Sequence, residues 1–308
     1  MERRTFLEVA ATVVGARLLS IPRRRRPANT RLILLGTAGG PRPRAGRSAP
    51  AQVIVVNNAA YVIDCGDGVA RQLVLARVPL ATLRNVFITH HHSDHNADYG
   101  NLLLLAWAAG LRTHVDTWGP PPIERMTSLF FEMNATDIDA RIADEGRIPL
   151  GPLVQAHNVQ AGGVIMQDDN VRVTTAVVNH PPMATALAYR FDAPDRSIVI
   201  SGDTTASDNL VRLARDADVL VHEALYAPAV EQMIKDVANA SDLRRSIMSH
   251  HTTIEDAGRI AHDARVKTLV LSHLVPAEDP VVPDQTWIDA ARRHFAGRII
   301  VGKDLLEI

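Results

Sequence analysis

The stretch Thr89-His90-His91-His92-Ser93-Asp94-His95 places four histidines and one aspartate within six consecutive residues, directly after the apolar run 86–88. An apolar run of this kind predicts a buried strand, and a strand that ends in such a cluster brings several metal-binding side chains to one point. The chain has 308 residues and 13 histidines, which is a high histidine count. The stretch therefore predicts a metal site at the end of a strand.

The spacing within this stretch favours two ions. Two histidines one residue apart, His90 and His92, can bind one ion from the same side, whereas Asp94 and His95 are displaced along the loop and suit a second ion. Imidazole favours zinc, although manganese or iron fit the same ligands. Each ion needs more ligands, and a carboxylate shared by both ions would hold them about 3.5–4 Å apart.

Apolar strands that end in a histidine or aspartate recur along the chain. Three such residues, His180, Asp203 and His273, are the obvious suppliers of the missing ligands. The predicted strands come in two runs, each followed by helices, which fits two sheets packed face to face with helices outside. We therefore expect an α/β fold of the four-layer αββα type, formed by one hydrolase domain over residues 30–308.

Residues 1–29 stay outside the fold prediction. Arg3-Arg4-Thr5-Phe6-Leu7 resembles a twin-arginine export motif, and a short apolar run follows. Residues 1–29 are therefore interpreted as a signal segment with a basic linker, which predicts a periplasmic or secreted protein. A cytoplasmic protein is the alternative, because Glu8 and Arg17 interrupt the apolar run. No apolar run approaches the roughly 18 residues that a membrane span requires.

These motifs resemble the metallo-β-lactamase superfamily, and the resemblance covers essentially all of 31–308. It is carried by His-x-His-x-Asp-His at 90–95, Ser-Gly-Asp-Thr at 201–204 and Leu-Ser-His at 271–273. The resemblance implies a metallo-β-lactamase-like sandwich with two divalent ions. It assigns His90, His92 and His180 to the first metal, Asp94, His95 and His273 to the second, and Asp203 to both as a bridge.

Within the superfamily the chain is more similar to the ribonuclease Z-like branch, which also contains arylsulfatases. The similarity lies in Val221-His222-Glu223-Ala224-Leu225 and His251-Thr252-Thr253, with Leu225 and Thr252 as departures from the branch motifs. A two-metal site still needs a proton donor for the leaving oxygen, and His251 oriented by Glu223 would serve. The alternative is that His250 and His251 only cap the following helix.

Asp94 has a second predicted role, and three residues outside the ligand sets have predicted roles beside it. Asp94 would orient a metal-bridging hydroxide while it ligates the second metal. Asp64, at the end of its strand, would support a ligand histidine by hydrogen bonding. His91 points away from its neighbours on an extended loop and is assigned a structural role, and His222 is assigned a supporting position.

The expected reaction is attack of that hydroxide on a small ester, with an aryl sulfate as the preferred substrate. The apolar residues expected around the leaving group are Trp107, Phe130, Phe131, Pro182 and Met183. The alternatives are a ribonuclease Z-type 3′-end phosphodiesterase for tRNA, a lactone or β-lactam hydrolase, and a non-catalytic metal-binding protein. The last is disfavoured because both ligand sets and the candidate acid are complete.

Charge argues against nucleic acid as the partner. RNA binding needs a basic surface, and the ribonuclease Z branch usually carries a lysine-rich arm before the later histidine. Residues 134–179 hold three arginines against six acidic residues, and the chain has a net charge of −1. Pro43-Arg44-Ala45-Gly46-Arg47 also lacks the lysine of the branch motif Pro-x-Lys-x-Arg. We therefore expect a small-molecule substrate and no membrane span, and a homodimer remains open.

Overall fold

The computed structural model describes residues 29–235, 238–278 and 280–308. Its first sheet contains six strands, each hydrogen-bonded to the next in chain order. They are β1 (Arg31–Gly36), β2 (Ala51–Val56), β3 (Ala59–Ile63), β4 (Leu83–Phe87), β5 (Val115–Gly119) and β6 (Val154–Asn158). The pairs from β3 to β6 are parallel, so their carboxyl ends lie along one edge of the sheet.

The second sheet contains seven strands in the order β13-β12-β11-β10-β9-β8-β7. They are β7 (Gly163–Gln167), β8 (Arg172–Val178), β9 (Ala186–Asp192), β10 (Ser197–Ile200), β11 (Val219–Leu225), β12 (Thr268–Val275) and β13 (Arg298–Val301). The strands β10 to β13 are parallel, and the other pairs in this sheet are antiparallel. The carboxyl ends of the parallel strands β10 to β13 therefore lie along one edge of this sheet.

Helices cover the outer face of each sheet. Those that follow the strands of the first sheet are α1 (Val69–Leu75), α2 (Ser93–Asn96), α3 (Tyr99–Ala108), α4 (Ile123–Met133) and α5 (Ala135–Glu145). Those that follow the second are α6 (Asp208–Leu213), α7 (Ala227–Ile234), α8 (Ala240–His250), α9 (Ile254–Asp263) and α10 (Asp284–Arg292). One apolar cluster lies between the sheets and two others lie between a sheet and its helices. The predicted αββα sandwich is confirmed.

Aromatic side chains join the two sheets directly below the histidine stretch. Phe87, the last residue of β4, packs edge-to-face on Tyr189 and Phe191 of β9, with ring centroids 5.4 and 5.1 Å apart. Such pairs add about 0.5–1.5 kcal/mol each beyond their buried area. The Tyr189 hydroxyl also donates to the Ile88 carbonyl oxygen at 2.8 Å. These contacts fix the strand end from which the histidines emerge.

The segment 135–167 has regular secondary structure. It contains α5 and the strands β6 and β7, which are the outermost strands on this side of their sheets. The alternation of apolar and polar residues in these strands is weak, because β6 carries polar residues such as Gln155 and Asn158 at exposed edge positions. Helices α4 and α5 adjoin at Asn134, so no arm is inserted between them.

The predicted signal segment lies outside the described residues, except for Asn29, and stays a prediction. Among the residues that the structure describes, no helix combines the length and apolar character of a bilayer span.

Candidate metal centre

The histidine stretch runs from the loop after β4 into α2, and three of its four candidate ligands are buried. Thr89 and His90 are fully buried, and Asp94 and His95 are only 7% and 2% exposed. Three further chain segments reach the same point: His180 lies two residues after β8, Asp203 follows β10, and His273 lies within β12. The loop and these strand ends therefore bring together all seven side chains that the sequence singled out as metal ligands.

The first group of ligand atoms converges around His92. Its Nδ1 atom lies 3.0 Å from His90 Nε2 and 3.1 Å from His180 Nε2. Asp203 Oδ2 lies 3.9 Å from the Nε2 atoms of both His90 and His180. Ligands arranged tetrahedrally around zinc lie about 3.3 Å apart, so these separations fit one ion.

The second group lies on the other side of the same carboxylate. His273 Nε2 is 3.4 Å from Asp94 Oδ2, and His95 Nε2 is 3.7 Å from it. Asp203 Oδ2 lies 3.4 Å from His95 Nε2 and 3.1 Å from His273 Nε2. Asp203 is thus within 3.9 Å of a nitrogen in both groups, which is the position that a bridging ligand requires.

Unpartnered polar atoms support the fit of these donors to metal ions. His95 Nε2 and Asp203 Oδ1 are buried and have no hydrogen-bond partner in the described chain. Burial lowers the pKa of His180 to about 4, which keeps its imidazole in the neutral form that binds metal. Burial raises the pKa of Asp203, but His273 and His95 outweigh it and hold this pKa well below its usual range. The carboxylate is therefore ionised.

Hydrogen bonds orient the ligand imidazoles. Asp64 Oδ2 accepts from His95 Nδ1 at 2.8 Å, and Asp64 Oδ1 accepts the Thr89 N–H at 2.8 Å. His180 Nδ1 donates to the His250 carbonyl oxygen at 2.9 Å. In both histidines the outer nitrogen carries the proton, which leaves Nε2 as the metal-facing acceptor. The structure thus gives Asp64 the supporting contact that the sequence predicts for it, and it adds Thr89.

Two of these site residues have a strained backbone. Asp64 adopts φ 58° and His273 adopts φ 44°, a left-handed conformation that non-glycine residues rarely take. Such residues cost about 1–3 kcal/mol each and persist where the surrounding structure imposes them. Gly202, beside Asp203, also has a positive φ of 59°, and a Cβ atom there would lie 2.9 Å from the Leu187 carbonyl oxygen. The loop before Asp203 therefore requires glycine.

His251 and Glu223 form a buried pair beside the ligands. His251 Nδ1 lies 2.7 Å from Glu223 Oε2 and 3.8 Å from Asp203 Oδ2. Burial alone would lower the pKa of His251, but the Glu223 carboxylate raises it to about 9. The cap of α9 is Thr253, whose side chain accepts the Asp256 N–H. His251 therefore does not cap this helix, contrary to the alternative reading.

Two further histidines, His91 and His222, are not candidate metal ligands. His91 Nε2 contacts the Pro120 carbonyl oxygen at 2.8 Å, and its Nδ1 contacts Asn96 Nδ2 at 3.0 Å. His222 lies on β11, where alternate residues face opposite sides of the sheet, so it faces away from Glu223. Its Nδ1 contacts the Glu223 carbonyl oxygen at 2.7 Å. Neither histidine is among the groups that could hold an ion.

A pocket of about 300 Å³ opens over the centre. Asp94, Asp203, His251 and His273 contribute to its lining, and Arg42 and Arg44 contribute positive charge. Its apolar wall, as we call it, consists of Met233, Leu243, Ile247 and Val275.

The apolar residues that the sequence proposed for this pocket do not line it. Trp107 is 1% exposed and donates from Nε1 to the Ile148 carbonyl oxygen at 2.8 Å, in a cluster under α5. Phe131 packs against the same cluster. Phe130, Pro182 and Met183 are also absent from the pocket lining. That prediction was wrong, because apolar character alone does not show whether a helix face meets core or cleft.

The fold and the paired donor groups define a metal-dependent hydrolase. The family model described as "Beta-lactamase superfamily domain" matches residues 60–274. The chain is 32% identical over 281 residues to ribonuclease Z of Mycobacterium bovis (strain BCG / Pasteur 1173P2), covering 89% of this chain and 96% of the relative. Ribonuclease Z of Mycobacterium sp. (strain KMS) is 33% identical over 276 residues, covering 88% and 93%.

Solved structures share the fold. The metallo-β-lactamase fold protein YhfI from Bacillus subtilis matches with a TM-score of 0.67 and 20% identity, covering 91% of this chain and 98% of its own. The short form of human tRNase Z matches with a TM-score of 0.66 and 19% identity, covering 90% and 98%. The chain belongs to the metallo-β-lactamase superfamily, in its ribonuclease Z-like branch.

Proposed function

We propose that this chain is a ribonuclease Z-type phosphodiesterase that cleaves RNA near the 3′ end, with precursor tRNA as the first substrate to test. The observation that carries the proposal is the 32% identity to a ribonuclease Z over 96% of that relative's length. The similarity therefore includes the regions around the pocket as well as the metal ligands. This proposal replaces aryl sulfate as the preferred substrate, because the named relatives are nucleases.

The argument that negative charge disfavours RNA binding rests on the stretch 134–179 and does not apply to the pocket itself. Arg42 and Arg44 line the pocket beside Asp94 and His251. A phosphodiester is an anion, and arginine is well suited to phosphate oxygens. Arg47, in contrast, donates from Nη1 to Thr37 Oγ1 at 2.6 Å and to the Gly302 carbonyl oxygen at 2.8 Å. Arg47, the final arginine of the motif, thus holds the loop in place, whereas Arg44 of the motif and the preceding Arg42 line the pocket.

The metal ions, Asp94 and His251 have different roles in the proposed hydrolysis. Two divalent ions, with zinc expected and manganese or iron compatible, would be held by the seven candidate ligands and would supply a nucleophilic hydroxide at neutral pH and stabilise charge on the attacked phosphate. Asp94 would accept a hydrogen bond from the nucleophile: burial raises its pKa, but His95 and His273 outweigh this and lower it, so Asp94 is ionised. His251 uses Nδ1 for Glu223, so its Nε2 delivers the proton to the leaving oxygen.

A second candidate is hydrolysis of small aryl esters, including aryl sulfates. The apolar wall favours it, because Met233, Leu243 and Ile247 offer hydrophobic surface for an aryl group. No feature of the pocket favours a lactone or β-lactam in the same way.

A side-by-side assay tests the proposal. The metal-loaded protein is given precursor tRNA with a 3′ trailer, bis(p-nitrophenyl) phosphate, p-nitrophenyl sulfate and a lactone, with His251→Ala as the control for contaminating nucleases. We expect cleavage of the precursor at the base of the trailer and hydrolysis of the diester, both lost in the variant. Turnover of the sulfate without cleavage of the RNA would contradict the proposal.

The site of action is a separate question. Precursor tRNA is met in the cytoplasm, whereas the sequence motif at 3–7 predicts export. A reporter fused after residue 29 and assayed for Tat-dependent export would decide between these localisations.

A further inference from the structure

The apolar wall is not explained by recognition of a charged phosphate. Leu243 and Ile247 are four residues apart in α8 and so lie on one face of that helix. They are half-buried and, with Met233, pack against a small cluster that includes Val230 and Ile234. Because the same side chains line the pocket, part of their apolar surface remains available to a substrate.

The position of His251 determines which part of a substrate meets this wall. His251 directly follows the last residue of α8, and Ile247 lies one turn earlier in the same helix. Both residues line the pocket. Since His251 Nδ1 contacts Glu223 at 2.7 Å, Nε2 is the atom that can protonate the leaving oxygen. The group attached to that oxygen therefore enters the pocket beside α8.

We infer that the apolar wall is a binding site for the leaving group, and that it selects phosphodiesters whose leaving oxygen carries a flat aromatic ring. The inference rests on the proposed phosphodiesterase function and specifies the part of the substrate that is recognised. In the hydrolysis, a water oxygen forms the new bond to phosphorus, the bond to the leaving oxygen breaks, and His251 Nε2 gives that oxygen its proton.

The side chains of the wall suit a planar ring. Met233 offers a polarisable thioether, which packs favourably against aromatic edges, and Leu243 and Ile247 offer branched aliphatic surface. The ring can belong to an aryl alcohol or to a nucleobase, since both present an apolar face. A small alkyl leaving group would leave the wall in contact with water and would gain nothing from it.

A pair of diesters with leaving groups of similar acidity tests the inference. The values of kcat/KM are measured for methyl 2-naphthyl phosphate and methyl phenyl phosphate on the metal-loaded full chain. We expect a preference for the naphthyl ester of about tenfold, because the second ring adds apolar area that the wall can cover. In Leu243→Asn and Ile247→Asn this ratio should fall towards one. The ratio does not depend on the active fraction, so a partly unfolded variant does not imitate the effect.

Leu129→Asn is the matched control. Leu129 lies on α4, is 46% exposed and does not line the pocket, so the same kind of substitution should keep the preference. A second pair, thymidine 3′-(methyl phosphate) and its abasic analogue, distinguishes the two sources of the ring. A preference for the base identifies a nucleoside leaving group, and a preference for naphthyl alone identifies an aryl group.

Equal rates within both pairs, or a ratio that the wall variants leave unchanged, would overturn the inference while the phosphodiesterase function stands. Failure to hydrolyse all four diesters by a protein that cleaves precursor tRNA would overturn the inference alone, and failure on the diesters and on precursor tRNA together would overturn the proposed function as well.

Discussion

His251 Nδ1 lies 2.7 Å from Glu223 Oε2, and the other oxygen of this carboxylate accepts the Thr204 N–H at 2.6 Å. Thr204 directly follows Asp203, so one carboxylate connects the candidate proton donor to the loop that carries Asp203, the candidate bridging ligand. The charge of Glu223 therefore controls the protonation of His251. The hydrogen bond that Glu223 accepts from the Thr204 N–H holds the loop in position.

Replacing Glu223 by Gln should move the alkaline limit of activity to lower pH. His251 acts as a donor only when protonated, so activity is present below its pKa and is lost as pH rises through it. The carboxylate raises this pKa, and without its charge burial dominates and lowers it. We expect the alkaline limb of kcat/KM to shift down by about 1–3 pH units. An alkaline limb that stays at the wild-type pH would rule out this role of Glu223. The His251→Ala variant is the control, because it shows the rate that remains without the proton donor.

Asp203→Ala should reduce the metal content. Asp203 Oδ2 lies within 3.9 Å of a ligand nitrogen in each group, so its removal takes one ligand from each ion. After dialysis against metal-free buffer, elemental analysis should find fewer than two ions per chain. Asp208→Ala, at an exposed position at the start of α6, is the control and should keep the wild-type content. Two ions retained by Asp203→Ala would refute the bridging position.

The convergence of the candidate metal ligands could be predicted from the sequence because the geometry of the first four is local. His90, His92, Asp94 and His95 share one short loop, so their spacing alone brings them to a point. Of the other candidates, His180 and Asp203 follow strands and His273 lies near the end of β12. These strands run in the same direction, so their ends lie on one edge of the sheet. Once two sheets are predicted, residues at such strand ends are expected to meet.

The pocket walls could not be predicted in the same way. The apolar wall comes from α7, α8 and the end of β12, more than 130 residues after the histidine stretch, and its helical residues pack against Leu225 and Val275. Nothing in the periodicity of α8 distinguishes a face that packs on a core from one that borders a cleft. Trp107 is the opposite case. It lies near the histidines in sequence and was expected in the pocket, but it is buried in the core.

The sequence favoured a small ester over RNA as the substrate, for a reason of scale. A charge count over 134–179 describes a region and cannot locate individual charges in space. The structure places Arg42 and Arg44 in the lining of the pocket, where their positive charge is available to a phosphate whatever the net charge of the stretch 134–179.

Asp64→Asn should weaken metal binding without removing a ligand. Asp64 Oδ2 accepts from His95 Nδ1 at 2.8 Å, and the amide would accept this bond more weakly or present its NH₂ group instead. Loss of such a supporting contact lowers metal affinity by about 10–100-fold. Competition with a fluorescent chelator measures this affinity directly. Asp263→Asn, at the exposed end of α9, should leave it unchanged, and wild-type affinity in Asp64→Asn would show that His95 is oriented by other contacts.

Arg44→Ala should weaken binding of a phosphodiester substrate. Arg44 lines the pocket, and its Nη1 donates to the Arg42 carbonyl oxygen at 3.1 Å, which holds the guanidinium near Asp94. If the guanidinium contacts an RNA phosphate, its loss should raise KM for precursor tRNA about 3–10-fold, with kcat little changed.

The salt dependence separates a phosphate contact from a structural effect of Arg44. Each lost phosphate contact should reduce the slope of log kcat/KM against log salt by about one. Arg125→Ala, an exposed arginine of α4 outside the pocket, should keep both KM and slope. A raised KM with the wild-type slope would mean that Arg44 shapes the loop and does not bind the RNA backbone.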